Sequence, residues 1–171
     1  MNRRSLLRTV GAGVVVGGSG CLGGGGEVIV SVQQDVSVDP GDAWMETDIP
    51  NLSESGGAIE YIVRAERAFD VYFFTDESNF ERYNAYIKGD DPEETPPGND
   101  EFSQAAVPAE GKELYEATTD NGGNRQPVQT AGPYYFVVDH SNYRMENRVE
   151  EFDDPLQAFV DLKVIRNRSL I

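Results

Sequence analysis

Ile59-Glu60-Tyr61-Ile62-Val63-Arg64-Ala65 and Phe69-Asp70-Val71-Tyr72-Phe73-Phe74-Thr75 set the architecture of this chain. In the first segment Ile59, Tyr61, Val63 and Ala65 fall on alternate positions, and in the second Phe69, Val71, Phe73 and Thr75 do the same. Successive side chains of a strand point to opposite faces, so this period of two predicts two strands, each with one face toward a core. Arg67-Ala68 joins them closely enough to predict a hairpin.

Just downstream the periodicity changes. Phe80, Tyr83 and Ile87 recur at helical spacing, and Ser78 with Glu81 has the pattern of a capping box, predicting one short helix at about 78–88. Gly89 is placed to end it. A helix this short is expected against the rim of a β-sandwich. Residues 90–108 hold Asp90-Asp91-Pro92-Glu93-Glu94 and Pro96-Pro97-Gly98 and read as an exposed, mobile acidic loop. Further on, 112–119 suggests a strand and 120–123 a turn. After Gly132-Pro133, the apolar run Tyr134-Tyr135-Phe136-Val137-Val138 suits a strand buried on both faces. Leu156, Ala158, Val160, Leu162 and Val164 alternate as a closing strand.

Upstream, Val28, Val30, Val32, Val36 and Val38 mark one bent strand or two short ones. Asp39-Pro40-Gly41-Asp42 has turn chemistry, since proline presets φ and glycine supplies positive φ. Residues 44–49 suggest a short strand and 51–57 a polar loop. Strands at fairly regular spacing with one helix predict an all-β fold, a single jelly-roll-like β-sandwich over 27–166, with 167–171 as a tail.

The chain carries 30 acidic against 14 basic residues, a formal net charge of −16. Eight Phe, eight Tyr and Trp44 supply more apolar anchoring than a disordered acidic chain has. A folded protein this acidic repels itself in dilute buffer and is suited to concentrated salt, which screens charges within about 3 Å at 1 M. The scarcity of lysine (Lys88, Lys112 and Lys163 are all there are) is typical of halophilic proteins. Nucleic acid is excluded as a partner, because no basic stripe exists to neutralise phosphates.

The first 26 residues read as an address. Arg3-Arg4 precede Leu6-Leu7-Arg8, a short stretch of Val, Ala and Gly follows, and Gly18-Ser19-Gly20-Cys21 precedes Leu22 and four glycines. A basic start, a short apolar middle and small residues before a cleavage point is the order of a signal peptide. The apolar middle is far shorter than the roughly 20 residues that span a bilayer. Arg3-Arg4 resembles a twin-arginine export signal and the approach to Cys21 a lipobox, although Asn2 stands where Ser or Thr is usual. The expectation is a signal peptide at 1–20, then a lipid-bearing Cys21 and glycine tether at 21–26. Stable anchoring takes more than one acyl chain, so a two-chain lipid is expected on Cys21. With Cys21 the only cysteine, no internal disulfide can form. Without 1–20, where three of the basic residues lie, 11 basic residues face 30 acidic, net −19.

Two stretches resemble a family. Phe69-Asp70-Val71-Tyr72-Phe73-Phe74-Thr75-Asp76-Glu77 with Phe80-Glu81-Arg82-Tyr83 is similar to the strand-then-helix segment of a haloarchaeal lipoprotein family. Gly132-Pro133-Tyr134-Tyr135-Phe136-Val137-Val138-Asp139-His140 resembles that family's later strand, with His140 where Asn is usual. More distantly, the pattern is similar to Golgi-dynamics and pre-peptidase C-terminal domains. The resemblance implies a β-sandwich that binds proteins or assists neighbouring domains, and it brings no catalytic residue with it.

Candidate chemistry is sparse. His140 is the only histidine, with Ser141 beside it, and no Gly-x-Ser-x-Gly elbow appears after the signal. One histidine is too few for the usual zinc sites. Asp90, Asp91, Asp153 and Asp154 are candidate calcium ligands, with Glu93, Glu94, Asp39 and Asp42 as further loop oxygens, but none has EF-hand spacing. Asn51 and Asn167 begin glycosylation sequons. Aromatics around Tyr83, Tyr86 and Tyr134 suit either a core or a carbohydrate or peptide platform. The reading is a non-catalytic binding or accessory module, held to the outer face of a halophile's membrane through Cys21, with a surface protein or glycan as ligand and no cofactor beyond candidate calcium. Loop 90–108 and the rim with His140 are the expected contact regions. The alternatives are an extracytoplasmic hydrolase or redox accessory enzyme, or a structural envelope component.

Overall fold

The computed structural model describes residues 26–52, 56–119, 126–128, 130–144 and 154–168. The expected export signal with Arg3 and Arg4, the expected lipid attachment at Cys21, the expected turn at 120–123 and Asp153 lie outside them.

Two antiparallel sheets face each other. The larger has the order β1 (Gly26–Val38), β10 (Leu156–Asn167), β3 (Gly57–Ala65), β7 (Tyr115–Thr118) and β6 (Val107–Pro108), and β8 (Gln126–Pro127) adds to β3. The smaller runs β2 (Asp42–Ile49), β9 (Tyr134–His140), β4 (Asp70–Phe74), β5 (Gln104–Ala105). Strands β1 to β4 alternate between the sheets, and β9 and β10 then enter between strands already in place. This interleaving is a jelly roll, the expected fold.

Between the sheets lies the main core. Ile59, Tyr61 and Val63 of β3 and Leu156, Val160, Leu162 and Val164 of β10 meet Val71, Phe73, Phe136 and Val138 from the smaller sheet. The register explains the alternation, because Tyr61 pairs with Leu162 and Val63 with Val160, putting their side chains on one face. Gly57 stands where any Cβ would lie 2.2 Å from the Ile165 carbonyl, so the start of β3 fits against β10 only without a side chain. Strand β1 is a single strand whose pairing runs unbroken through Gln33-Gln34-Asp35, and its one irregularity lies between Val28 and Val30.

The expected hairpin at Arg67-Ala68 does not form. Strands β3 and β4 belong to opposite sheets, and residues 66–69 carry the chain across the sandwich. Packed sheets lie roughly 10 Å apart, a gap that such a connection spans. The turn at 39–42 crosses likewise from β1 to β2, with Asp42 N–H donating to the Asp39 carbonyl at 3.0 Å and Gly41 at φ +79°.

Two further expectations change. The helix α1 (Glu77–Ile87) is capped by Asp76, whose Oδ1 accepts from Asn79 N–H at 2.9 Å, and not by Ser78. It packs on the outer face of the smaller sheet and not on its rim, forming a second core of Tyr72, Phe74, Phe80, Tyr83, Val137 and Tyr143. Gly89 does end the helix, at φ +91°, with its own N–H on Tyr86 and that of Asp90 on Ala85.

Residues 90–108 are not one exposed loop. Residues 90–91 and 93–95 are exposed, but Phe102 and Ala106 are buried in the main core. Phe73 N–H donates to Ser103 Oγ at 2.9 Å and Asn99 N–H to the Phe73 carbonyl at 2.7 Å. Tyr61 OH donates to the Phe102 carbonyl and accepts from Gln104 Nε2. This segment thus finishes the edge of the smaller sheet.

Candidate functional site

The residues singled out in the sequence fall in several places. At one rim, the crossing turns bring His140, Asp42, Arg67 and Asp154 near each other. His140 pairs with Asp42 across β9 and β2, and its carbonyl accepts from Gly41 N–H at 2.8 Å. His140 Nε2 lies 3.0 Å from the Asp154 carbonyl, which can only accept, so this bond forms when Nε2 carries a proton. The Asp154 carboxylate receives Arg67 at 2.8 Å. Asp90 and Asp91 lie elsewhere, just beyond α1. Among the described residues no three His, Cys, Asp or Glu side chains gather as a metal would require. Asn51 Oδ1 accepts from Gly132 N–H at 3.2 Å beside the exposed end of the sandwich, and Asn167 is exposed at the end of β10.

A different polar group, not singled out in the sequence, lies under α1. Asp70 on β4 and Asp139 on β9 are register partners, so their side chains share the outer face of the smaller sheet. Both are buried, Asp139 completely. Asp139 Oδ2 accepts from Tyr83 OH of α1 at 2.5 Å and from Ser141 Oγ at 2.8 Å, and its Oδ1 accepts from Ser141 N–H at 3.1 Å. Tyr72 OH lies 3.1 Å from Asp70 Oδ2 and 2.9 Å from the Tyr143 carbonyl. Tyr143 N–H donates to Ser141 Oγ at 3.1 Å, and Tyr143 OH to the Pro96 carbonyl at 2.7 Å. Tyr143 is ringed by Tyr72, Tyr83 and Tyr86 at centroid distances of 5.3, 4.8 and 5.2 Å.

The electrostatics follow from this enclosure. Loss of water pushes the Asp139 carboxyl up to about 7, opposed by the hydrogen bonds from Tyr83 and Ser141 and reinforced by the charge of Asp70. Burial also raises the phenols of Tyr83 and Tyr72 well above the usual tyrosine range, and the nearby aspartates add to it. Tyr143 is raised by burial too, against the pull of Arg144. Chemically, this group can hold or release a proton where water does not reach.

The Ser-His-Asp neighbourhood of the sequence is therefore divided. Ser141 Oγ turns to Asp139, whereas His140 bonds through Nε2 to the rim backbone. One signal could have found the buried aspartate: continued from Tyr135 and Val137, the alternation of β9 puts Asp139 on their face. Compared with known proteins, the chain significantly matches no family model, no curated protein and no solved structure.

Proposed function

We propose that this protein is a non-catalytic binding or accessory module, exported through Arg3-Arg4 and held by a lipid on Cys21 to the outer face of a halophile's membrane. One observation carries the reading: a twin-arginine-like start, a short apolar stretch, a small-residue approach to a lone cysteine and a glycine run occur in that order and spacing. The jelly roll begins at Gly26, the last of those glycines, so the body follows its proposed tether directly. The similarity to haloarchaeal lipoproteins and the excess of acid over base agree with this setting. No helix among the described residues is long and apolar enough to cross a membrane.

A binding role is favoured over a hydrolase by the direction of His140, which bonds to the Asp154 carbonyl while Ser141 bonds to Asp139. The ligand is a surface protein or glycan. The exposed surface nearest His140, with Asp39, Asp42, Glu66, Arg67 and Asp154, is the proposed contact region, together with the exposed start of 90–108. Asn51 is proposed as a glycosylation site beside the opposite turn.

Fractionation of a salt-requiring host expressing the full chain tests the reading. The native chain should sediment with membranes and dissolve in detergent, Cys21→Ser should appear in the medium, and the double change Arg3→Lys, Arg4→Lys should remain inside the cell. A Cys21→Ser chain that still sediments with membranes would overturn the lipid anchor.

A further inference from the structure

We propose that Asp139 is a proton-binding site that fastens α1 and the 141–144 turn to the outer face of the smaller sheet, so that the helix is held most tightly when this carboxyl is protonated and more loosely when it is ionised. The argument begins with geometry. Asp139 is fully buried, its register partner is a second buried aspartate, and its own hydrogen-bond partners are the neutral Tyr83 and Ser141. An ionised carboxylate in such a place lacks water on every side and faces the like charge of Asp70, and both effects favour the protonated form.

The groups around it can be named element by element. Strand β4 presents Asp70 and Tyr72, α1 presents Tyr83 and, less deeply, Tyr86, and the turn after β9 presents Ser141 and Tyr143. Arg82 and Arg144 act on Tyr143 at the margin. Strand β2 offers only Ala43 opposite Asp139. Because Tyr83 is the helix's hydroxyl contact to this carboxyl, the simplest way to hydrate an ionised Asp139 is to lift α1.

The sign follows from linkage. A carboxyl raised in the closed form binds its proton there over a range in which the opened form has already lost it. Opening therefore becomes easier as pH rises from the ordinary aspartate range to about 7 and levels off above. With one proton released per opening event, the opening constant rises by at most about tenfold per pH unit.

Amide hydrogen exchange of the full-length folded protein in molar KCl, corrected for intrinsic rates, reads this directly. Between about pH 5 and pH 7, protection of 80–87 should fall up to about tenfold per unit relative to β10, and in Asp139→Asn the ratio should stay flat. Two further variants move the transition in opposite directions: Asp70→Asn should shift it to lower pH by removing a like charge, and Ser141→Ala to higher pH by removing a donor to the ionised form. A native ratio that is flat with pH, or an Asp139→Asn ratio that keeps the native slope, overturns the proposal. If Asp139→Asn does not fold, shifts of the other two variants in the same direction overturn it equally.

Discussion

Strand β4 buries both of its faces, and they are held by different forces. On its inner face Val71 and Phe73 pack into the apolar core between the sheets, with Phe73 tilted against Phe102 at 4.8 Å and stacked with Tyr134 at 5.6 Å between centroids. On its outer face Tyr72 and Phe74 lie beside Asp70 and meet a helix fastened through hydroxyls and a carboxyl. Apolar burial is non-directional and scales with area. The hydrogen bonds on the outer face fix where α1 sits, and their strength depends on a proton. The inner face thus supplies bulk stability and the outer face supplies position.

This contrast can be broken in graded steps. Phe73→Ala should cost most, about 3–5 kcal/mol, by opening a cavity between the sheets, and chemical denaturation should show it equally at acid and neutral pH. The pH response of the outer face comes next. Because Asp139 is raised in the folded state, its contribution is fully present below the ordinary aspartate range and lost as pH rises through about 7, a swing on the order of 2–4 kcal/mol. Denaturation midpoints across that range should therefore fall more steeply for the native chain than for Asp139→Asn. Tyr83→Phe leaves a buried acceptor without one donor and should cost about 1–3 kcal/mol, lost from α1 by hydrogen exchange before it is lost from β10. Asp76→Ala removes the helix cap and should cost about 1 kcal/mol, read from the same helix amides. Smallest of all, Arg82→Ala breaks a half-exposed pair with Glu94 and should change stability by less than about 1 kcal/mol, and less still in molar salt.

The sequence carried the strands more plainly than their partners. The period-two pattern of β3 and β10 tells which face of each is buried, and those faces are buried as expected, whereas β4, expected to bury one face, buries both. It does not tell which sheet a strand joins, because strands facing each other across a sandwich show the same alternation as neighbours in one sheet. Arg67-Ala68 therefore reads as a hairpin turn but belongs to a crossing. The helix is legible from Phe80 and Tyr83, but its cap lies two residues earlier than expected, since Asp76, just past the end of β4, caps α1. Residues 90–108 misled through composition: prolines and acids dominate the stretch, while the isolated Phe102 and Ala106 decide where it goes. Asp139 was hidden for a related reason, since an acid at the end of an apolar run looks like the strand running out into solvent. Only the placement of α1 over that face turns it into a buried group.

The order of the strands also sets a timetable. Strand β10 lies between β1 and β3, and β9 between β2 and β4, so the middle of each sheet is supplied by residues translated after those on both sides. Val36 waits for Ala158 before it has a partner in its sheet. Until β9 and β10 have been made, the earlier strands have no finished sheet to join, and pairings this distant in sequence form slowly. Folding of this body is therefore completed only once β10 has been made, when its last two long strands slot into gaps left open for them.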